Sequence, residues 1–200
     1  MALLSPLLKT SAELVAKQIQ YEKTHALISE GDRALELIGR AIRMAGYSNI
    51  NSQRMRSKKS NTQEFIQIQK KSGFRSSDSL TVKHGLSEGA DFDCIGNLLT
   101  QDRTKNQLAL QGFLLERQAG VPKGVKVNGG SLMCQSLDRQ GRIQNTTLMN
   151  GVNLLTIEEL HSLHGNTDSG QRIYRVVLQM TDGHLLHIDM ERSFTTRNLL

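Results

Sequence analysis

The chain has 200 residues, of which 38% are hydrophobic, 22% charged and 4% aromatic, with no tryptophan. That is enough for one packed core resting on Leu, Ile, Val and Met, and too little for two full domains. The longest apolar stretch, Ala2-Leu3-Leu4 with Leu7-Leu8, is broken by Ser5 and Pro6, whereas a membrane-crossing helix needs about 18 consecutive apolar residues, so these residues are not expected to cross a bilayer.

The first element is a long helix. Ser5 and Pro6 suit a start, as cap and first helical residue. Apolar residues then recur in steps of three and four at Leu8, Ala12, Val15 and Ile19, and after a weaker stretch at Leu27, Leu35, Ile38, Ile42 and Ala45. Gly31 costs only about 1 kcal/mol inside a helix, and the periodicity resumes beyond it, so one helix, bent or straight, is expected from Pro6 to Ala45. At 1.5 Å per residue it would be about 60 Å long, more than a compact domain of this size covers. Part of it must project or pack on another chain.

Net charge is +6, and its placement is uneven. Residues 1–47 carry six Lys/Arg against five Asp/Glu, residues 48–76 seven against one, and residues 77–200 twelve against thirteen. The excess therefore lies in Arg54, Arg56, Lys58, Lys59, Lys70, Lys71 and Arg75. A solvated basic loop is one reading of this segment, and a contact for a partner or a polyanion is the other. Only Phe65 and Phe74 lie nearby to stack on bases.

Beyond Gly46 the pattern is that of strands: Glu64 to Gln69, Leu80 to His84, Gln107 to Glu116, Ser131 to Ser136, Arg172 to Thr181 and Leu185 to Glu191. Asp182-Gly183 predicts a hairpin between the last two. Tyr174, Val176, Leu178 and Met180 share one face before that turn, and Leu186, Ile188 and Met190 share one after it. The expected class is α+β, a long N-terminal helix laid on an antiparallel sheet with one buried face.

Cys94 and Cys134 stand alone, with no CxxC or Cys/His cluster. They read either as two buried thiols or as one disulfide. His161/His164 and His184/His187 are paired at spacing three, but HExxH is absent, and on a strand odd spacing puts the second pair on opposite faces. Asp91, Asp93 and Asp102 form an acidic neighbourhood without the spacing of a calcium loop. There is no GxSxG, Walker loop or GxGxxG. No catalytic residue, metal or cofactor is expected, and the chain reads as a non-enzyme.

The helix ends on Arg33-Ala34-Leu35-Glu36-Leu37-Ile38-Gly39-Arg40 followed by Arg43-Met44-Ala45-Gly46-Tyr47. That stretch resembles the end of the helix in PilW-like minor pilins of type IV pili. Ser77 to Val82 looks like the family's first strand after its variable loop, and Asp93-Cys94-Ile95-Gly96 like its DCxG motif. A second cysteine in Ser131-Leu132-Met133-Cys134, then Asn150-Gly151-Val152 and Phe194-Thr195-Thr196-Arg197-Asn198, echo its C-terminal half. The resemblance spans roughly residues 8 to 198; the family's GFTLxE junction and the apolar first half of its helix are not among these residues, and Met1-Ala2 followed by Leu3-Leu4 reads as a start codon and a cloning residue placed at the tail of a removed membrane segment.

The resemblance implies a pilin-like fold with three parts: the helix at 1–47, a basic variable region at 48–76 and a sheet domain at 77–200. It implies a Cys94–Cys134 disulfide in an oxidising compartment. It implies a minor pilin of a Gram-negative bacterium that primes type IV pilus assembly, anchored at the periplasmic face of the inner membrane and then held at or near the pilus tip. The partners implied are other minor pilins, the major pilin and the inner-membrane assembly platform, met through Leu8, Ala12, Val15 and Ile19. Arg54, Arg56, Lys58, Lys59, Lys70 and Lys71 are a further contact for a partner, or for nucleic acid if the pilus takes up DNA. The alternatives are a J-type pseudopilin of type II secretion and a non-filamentous basic nucleic-acid-binding module.

Overall fold

The computed structural model describes residues 4–47, 65–122, 124–125, 127, 129–160, 171–183 and 186–197, with side chains from residue 9 onward. The helix α1 runs unbroken over Leu4–Met44, 41 residues, starting just ahead of the predicted cap. It is followed by β1 (Ile66–Gln69), β2 (Ser79–His84), β3 (Ala109–Arg117), β4 (Gly130–Leu137), β5 (Ile143–Leu160), β6 (Ile173–Thr181) and β7 (His187–Thr195). The strands form a single antiparallel sheet whose spatial order is the chain order, β1 to β7.

Only the C-terminal part of α1 is covered. Ala34, Leu35, Ile38, Ala41, Ile42 and Ala45 are fully buried against the sheet, where each Leu or Ile contributes roughly 1.5–3 kcal/mol. Small residues let β7 come close: a Cβ on Gly39 would overlap the Phe194 ring, and one on Gly31 the Met190 sulfur. Gly31 is thus a contact residue within the helix rather than a break. Arg192 on β7 adds ion pairs to Asp32 at 2.8 Å and Glu36 at 3.8 Å. At the helix end, Gly46 N–H donates to the Lys83 carbonyl and Gly85 N–H to the Tyr47 carbonyl, which ties α1 to β2.

The 18-residue strand β5 makes the sheet continuous. Its first part, from Ile143, pairs with β4, and its second part, from Val152 to Leu160, pairs with β6. The hand-over occurs at Gly151, whose φ of 78° is unfavourable for other residues. A Cβ there would lie 2.8 Å from the Thr181 carbonyl oxygen. Beyond the hand-over, the edge of β5 that no longer faces β4 is met by the turn before β2: Asp78 N–H donates to the Leu155 carbonyl, Leu155 N–H to the Ser77 hydroxyl, and Ile157 N–H to the Asp78 carboxylate at 2.9 Å.

The α+β expectation stands as one helix on one antiparallel sheet. The pilin-like part of it is corrected: the sheet is a seven-stranded meander, larger than a pilin fold implies. The physical reason is β5, which bridges the four strands before it and the two after it into one sheet, in a stretch where the sequence pattern predicted no strand.

Candidate functional site

The N-terminal half of α1 is bare. Every described side chain from Lys9 to Lys23 is exposed, and Val15 and Ile19 stand 53% and 48% accessible. Ala12 is exposed beside them; the Leu8 side chain lies outside the described residues. A second set was missed in the sequence: Leu14 at 67%, Tyr21 at 71% and Ile28 at 38% accessible. Their signal is a spacing of seven residues, which repeats one helix face without the intervening three- and four-residue steps.

At about 100° per residue the two stripes are centred roughly 150° apart. Polar residues run between them, Lys9, Glu13, Lys17, Gln20 and Thr24 on the side that continues toward the sheet, and Ser11, Gln18, Glu22, His25 and Ser29 on the other. Lys9, Lys17 and Lys23 balance Glu13, Glu22 and Glu30 over this stretch. Pairs within the helix support it: Gln18 donates to Glu22 at 3.0 Å, and the Tyr21 and His25 rings lie 6.3 Å apart. This segment has apolar surface on two sides and a neutral total charge. Chemically it can bury that surface against other helices. Among the described residues no helix is long and apolar enough to cross a membrane.

Cys94 and Cys134 form a disulfide, with Cα atoms 6.0 Å apart. It pins the long loop between β2 and β3 onto β4. The same loop is held by Asp93, which accepts from the Ile95 and Asn97 N–H groups and pairs with Arg103 at 3.2 Å, both side chains being buried. Arg103 also donates to the Leu137 carbonyl at 2.9 Å. Asp91 is occupied by the Ser87 N–H and hydroxyl. Asp102 sits apart, exposed, where the Thr100 hydroxyl, then its own backbone N–H and then Arg139 hold its carboxyl below the ordinary value. Among the described residues no three His, Cys, Asp or Glu side chains gather as a metal-binding group.

Of the basic segment, Arg54, Arg56, Lys58 and Lys59 lie outside the described residues. Lys70 stays exposed along its stem, but its ammonium is engaged, pairing with the buried Asp78 carboxylate at 2.9 Å and donating to the Ile157 carbonyl. Lys71 donates its backbone N–H to Asp78 at 3.0 Å. Burial pushes the Asp78 carboxyl up, but the Ile157 N–H, the Lys70 ammonium and the Lys71 N–H outweigh it and hold the group below its ordinary value. Lys70 therefore secures the corner between the start of β2 and the far part of β5.

His161, His164 and His184 lie outside the described residues, and His187 is exposed. The histidine that the fold singles out is His84, 1% accessible at the end of β2. Its Nδ1 is 2.9 Å from the Gly85 carbonyl and its Nε2 is 3.3 Å from the Gln111 amide nitrogen. A neutral ring protonated on Nδ1 satisfies both. Burial pushes its pKa below the usual value, against the Gly85 carbonyl and Asp91, with Arg40 adding to the depression.

No protein-family model matches this chain, and no curated protein and no solved structure matches it.

Proposed function

We propose that the chain is an assembly subunit that works by packing its projecting helix against helices of neighbouring subunits, in the role of a minor pilin that primes type IV pilus assembly at or near the tip. The observation that carries this reading is a helix roughly 60 Å long whose N-terminal half is bare and whose apolar residues lie on two sides. A two-helix seam covers one stripe; two stripes call for neighbours on both sides, as in a bundle core. The resemblance of Arg43 to Tyr47 and of Asp93 to Gly96 to the minor-pilin motifs supports the choice of filament. The proposal concerns the helix and its partners and takes nothing from the shape of the sheet.

In this role the partners are other minor pilins, the major pilin and the inner-membrane assembly platform. The site of action is the periplasmic face of that membrane, then the pilus. The disulfide suits an oxidising compartment. Neither a cofactor nor a catalytic group enters the mechanism; the driving force is burial of Ala12, Val15 and Ile19 on one side and Leu14, Tyr21 and Ile28 on the other.

The test is piliation of cells whose own copy is deleted and replaced by Val15→Lys/Ile19→Lys or by Leu14→Lys/Tyr21→Lys. Both variants should fold as the parent does, because these positions are exposed. Each should lose surface pili. Full piliation with either variant, or in the deletion itself, overturns the proposal.

A further inference from the structure

The outer face of the sheet carries an apolar hollow. The register sets Lys83 on β2 opposite Leu110 on β3, and Leu137 on β4 opposite Ile143 on β5. Continued from the pair Gly112 and Gln135, it also sets Leu110 beside Leu137. The four therefore form one row across the sheet, on the face opposite Leu80 and Val82, which belong to the core shared with α1. Together with Leu108 they line a cavity of about 300 Å³. Leu108 and Leu137 are buried and Leu110 is half-buried, which gives the cavity an apolar floor.

On one side the hollow ends at Gln135, which lies so close over Gly112 that a Cβ there would stand 2.5 Å from its Oε1, and whose amide donates to Asn145 at 3.1 Å. On the other side stand two turns, at the end of the sheet where β3 and β5 begin. Lys105 and Leu108 exchange backbone hydrogen bonds at 2.9 and 3.1 Å around Asn106 and Gln107, whose φ angles of 54° and 62° are left-handed. Such a conformation is unfavourable for residues other than glycine and persists where its surroundings fix it. Asp138 and Arg142 close the second turn, with Gly141 at a φ of 71°. The charge around the hollow has one sign. Lys83 and Lys105 line it and no acidic residue does, and among the described residues neither lysine has an ion-pair partner. Arg139 and Arg142 close by are offset by Asp102 and Asp138.

We infer that this hollow binds a small amphipathic anion, a carboxylate carried on an apolar body of up to roughly ten carbons, which is what a cavity of this size holds at the packing density of protein interiors. The apolar body lies on Leu108, Leu110 and Leu137, and the carboxylate meets the ammonium groups of Lys83 and Lys105. Burial of the apolar body supplies affinity, and two positive charges with no acidic neighbour in the lining select the sign of the head group. Lysines without an arginine fork, set on an apolar floor, fit a singly charged carboxylate better than a phosphate, for which bidentate arginine is the usual device. The site lies on the sheet, away from the bare half of α1, and its test is independent of the pilus reading.

The probes are octanoate, octan-1-ol and octylammonium, equal in chain length and different in charge, each titrated into the isotope-labelled full chain and followed by NMR amide shifts. Octanoate should bind saturably, shift the amides of Leu110, Leu137 and Ile143, and bind at least about tenfold more tightly than either of the others, a factor of the size one charge contact supplies. The surface variant Lys83→Gln/Lys105→Gln should lower octanoate to the affinity of octan-1-ol and leave octan-1-ol itself unchanged, with the rest of the spectrum retained. No saturable binding of octanoate, equal binding of octan-1-ol or octylammonium, an unchanged octanoate affinity in the double variant, or shifts confined to the bare half of α1 overturns the proposal.

Discussion

Ile38 and Ile19 are the same residue type on the same helix, yet one is fully buried and the other 48% accessible. Truncating each to Ala separates the docked from the projecting half of α1. At Ile38 the change removes three carbon groups, each worth about 0.8 kcal/mol when buried, or about 2.4 kcal/mol in all. The cavity left between the helix and the sheet raises the cost to about 3–4 kcal/mol. At Ile19 no sheet packs beyond the helix, and Ala is the better helix former by a few tenths of a kcal/mol, so stability should stay within about 0.5 kcal/mol of the parent. Urea unfolding followed by circular dichroism gives both values from midpoint and slope. A loss above about 1 kcal/mol at Ile19 would show that the stripe is folded against its own domain, and the argument for a free helix would fail. A loss below about 1 kcal/mol at Ile38 would equally refute the docking described for Ala34 to Ala45.

Two further outcomes follow from the sheet. Cys94→Ala/Cys134→Ala opens a loop with a sequence separation of 40, which in the chain-entropy model costs about 4 kcal/mol; urea midpoints of the variant and the parent measure it, and an unchanged midpoint contradicts a stabilising bridge. His84 has its pKa depressed by burial from the usual 6.5, so its neutral form contributes stability that is intact above that value and lost as pH falls below it, by up to about 1.4 kcal/mol per pH unit. Unfolding midpoints at about pH 7.5 and about pH 5.5 should fall less in His84→Gln than in the parent, and identical falls would remove His84 as the cause.

Much of the architecture could be read before the structure. The steps at Leu35, Ile38, Ile42 and Ala45 place a helix face on the sheet, and alternation at Tyr174, Val176, Leu178 and Met180 gives a buried strand face. β5 escaped because its buried residues Met149, Val152, Leu155 and Ile157 are spaced three, three and two. Register shifts beside Leu132 and Val152 break the period of two, and the Asn and Gly residues between imitate a loop. His84 was visible as the third member of the alternation Leu80, Val82, His84, but a histidine in that slot carries no sign that it is neutral and buried. Lys70 read as one of a basic run because its partners, Asp78 and the Ile157 carbonyl, are brought to it only by the turn at the corner of the sheet. The stripe Leu14, Tyr21 and Ile28 was hidden by its own spacing, since a single apolar residue per two turns does not raise the helical periodicity.

The most direct test of the assembly claim is site-specific photo-crosslinking in piliated cells, with the photoreactive residue placed at Val15 or at Tyr21. The account predicts adducts from both positions, each to the N-terminal helix of another pilus subunit, because the two residues lie on different sides of one buried helix. Adducts from neither position, or adducts only within the chain's own sheet, would contradict it.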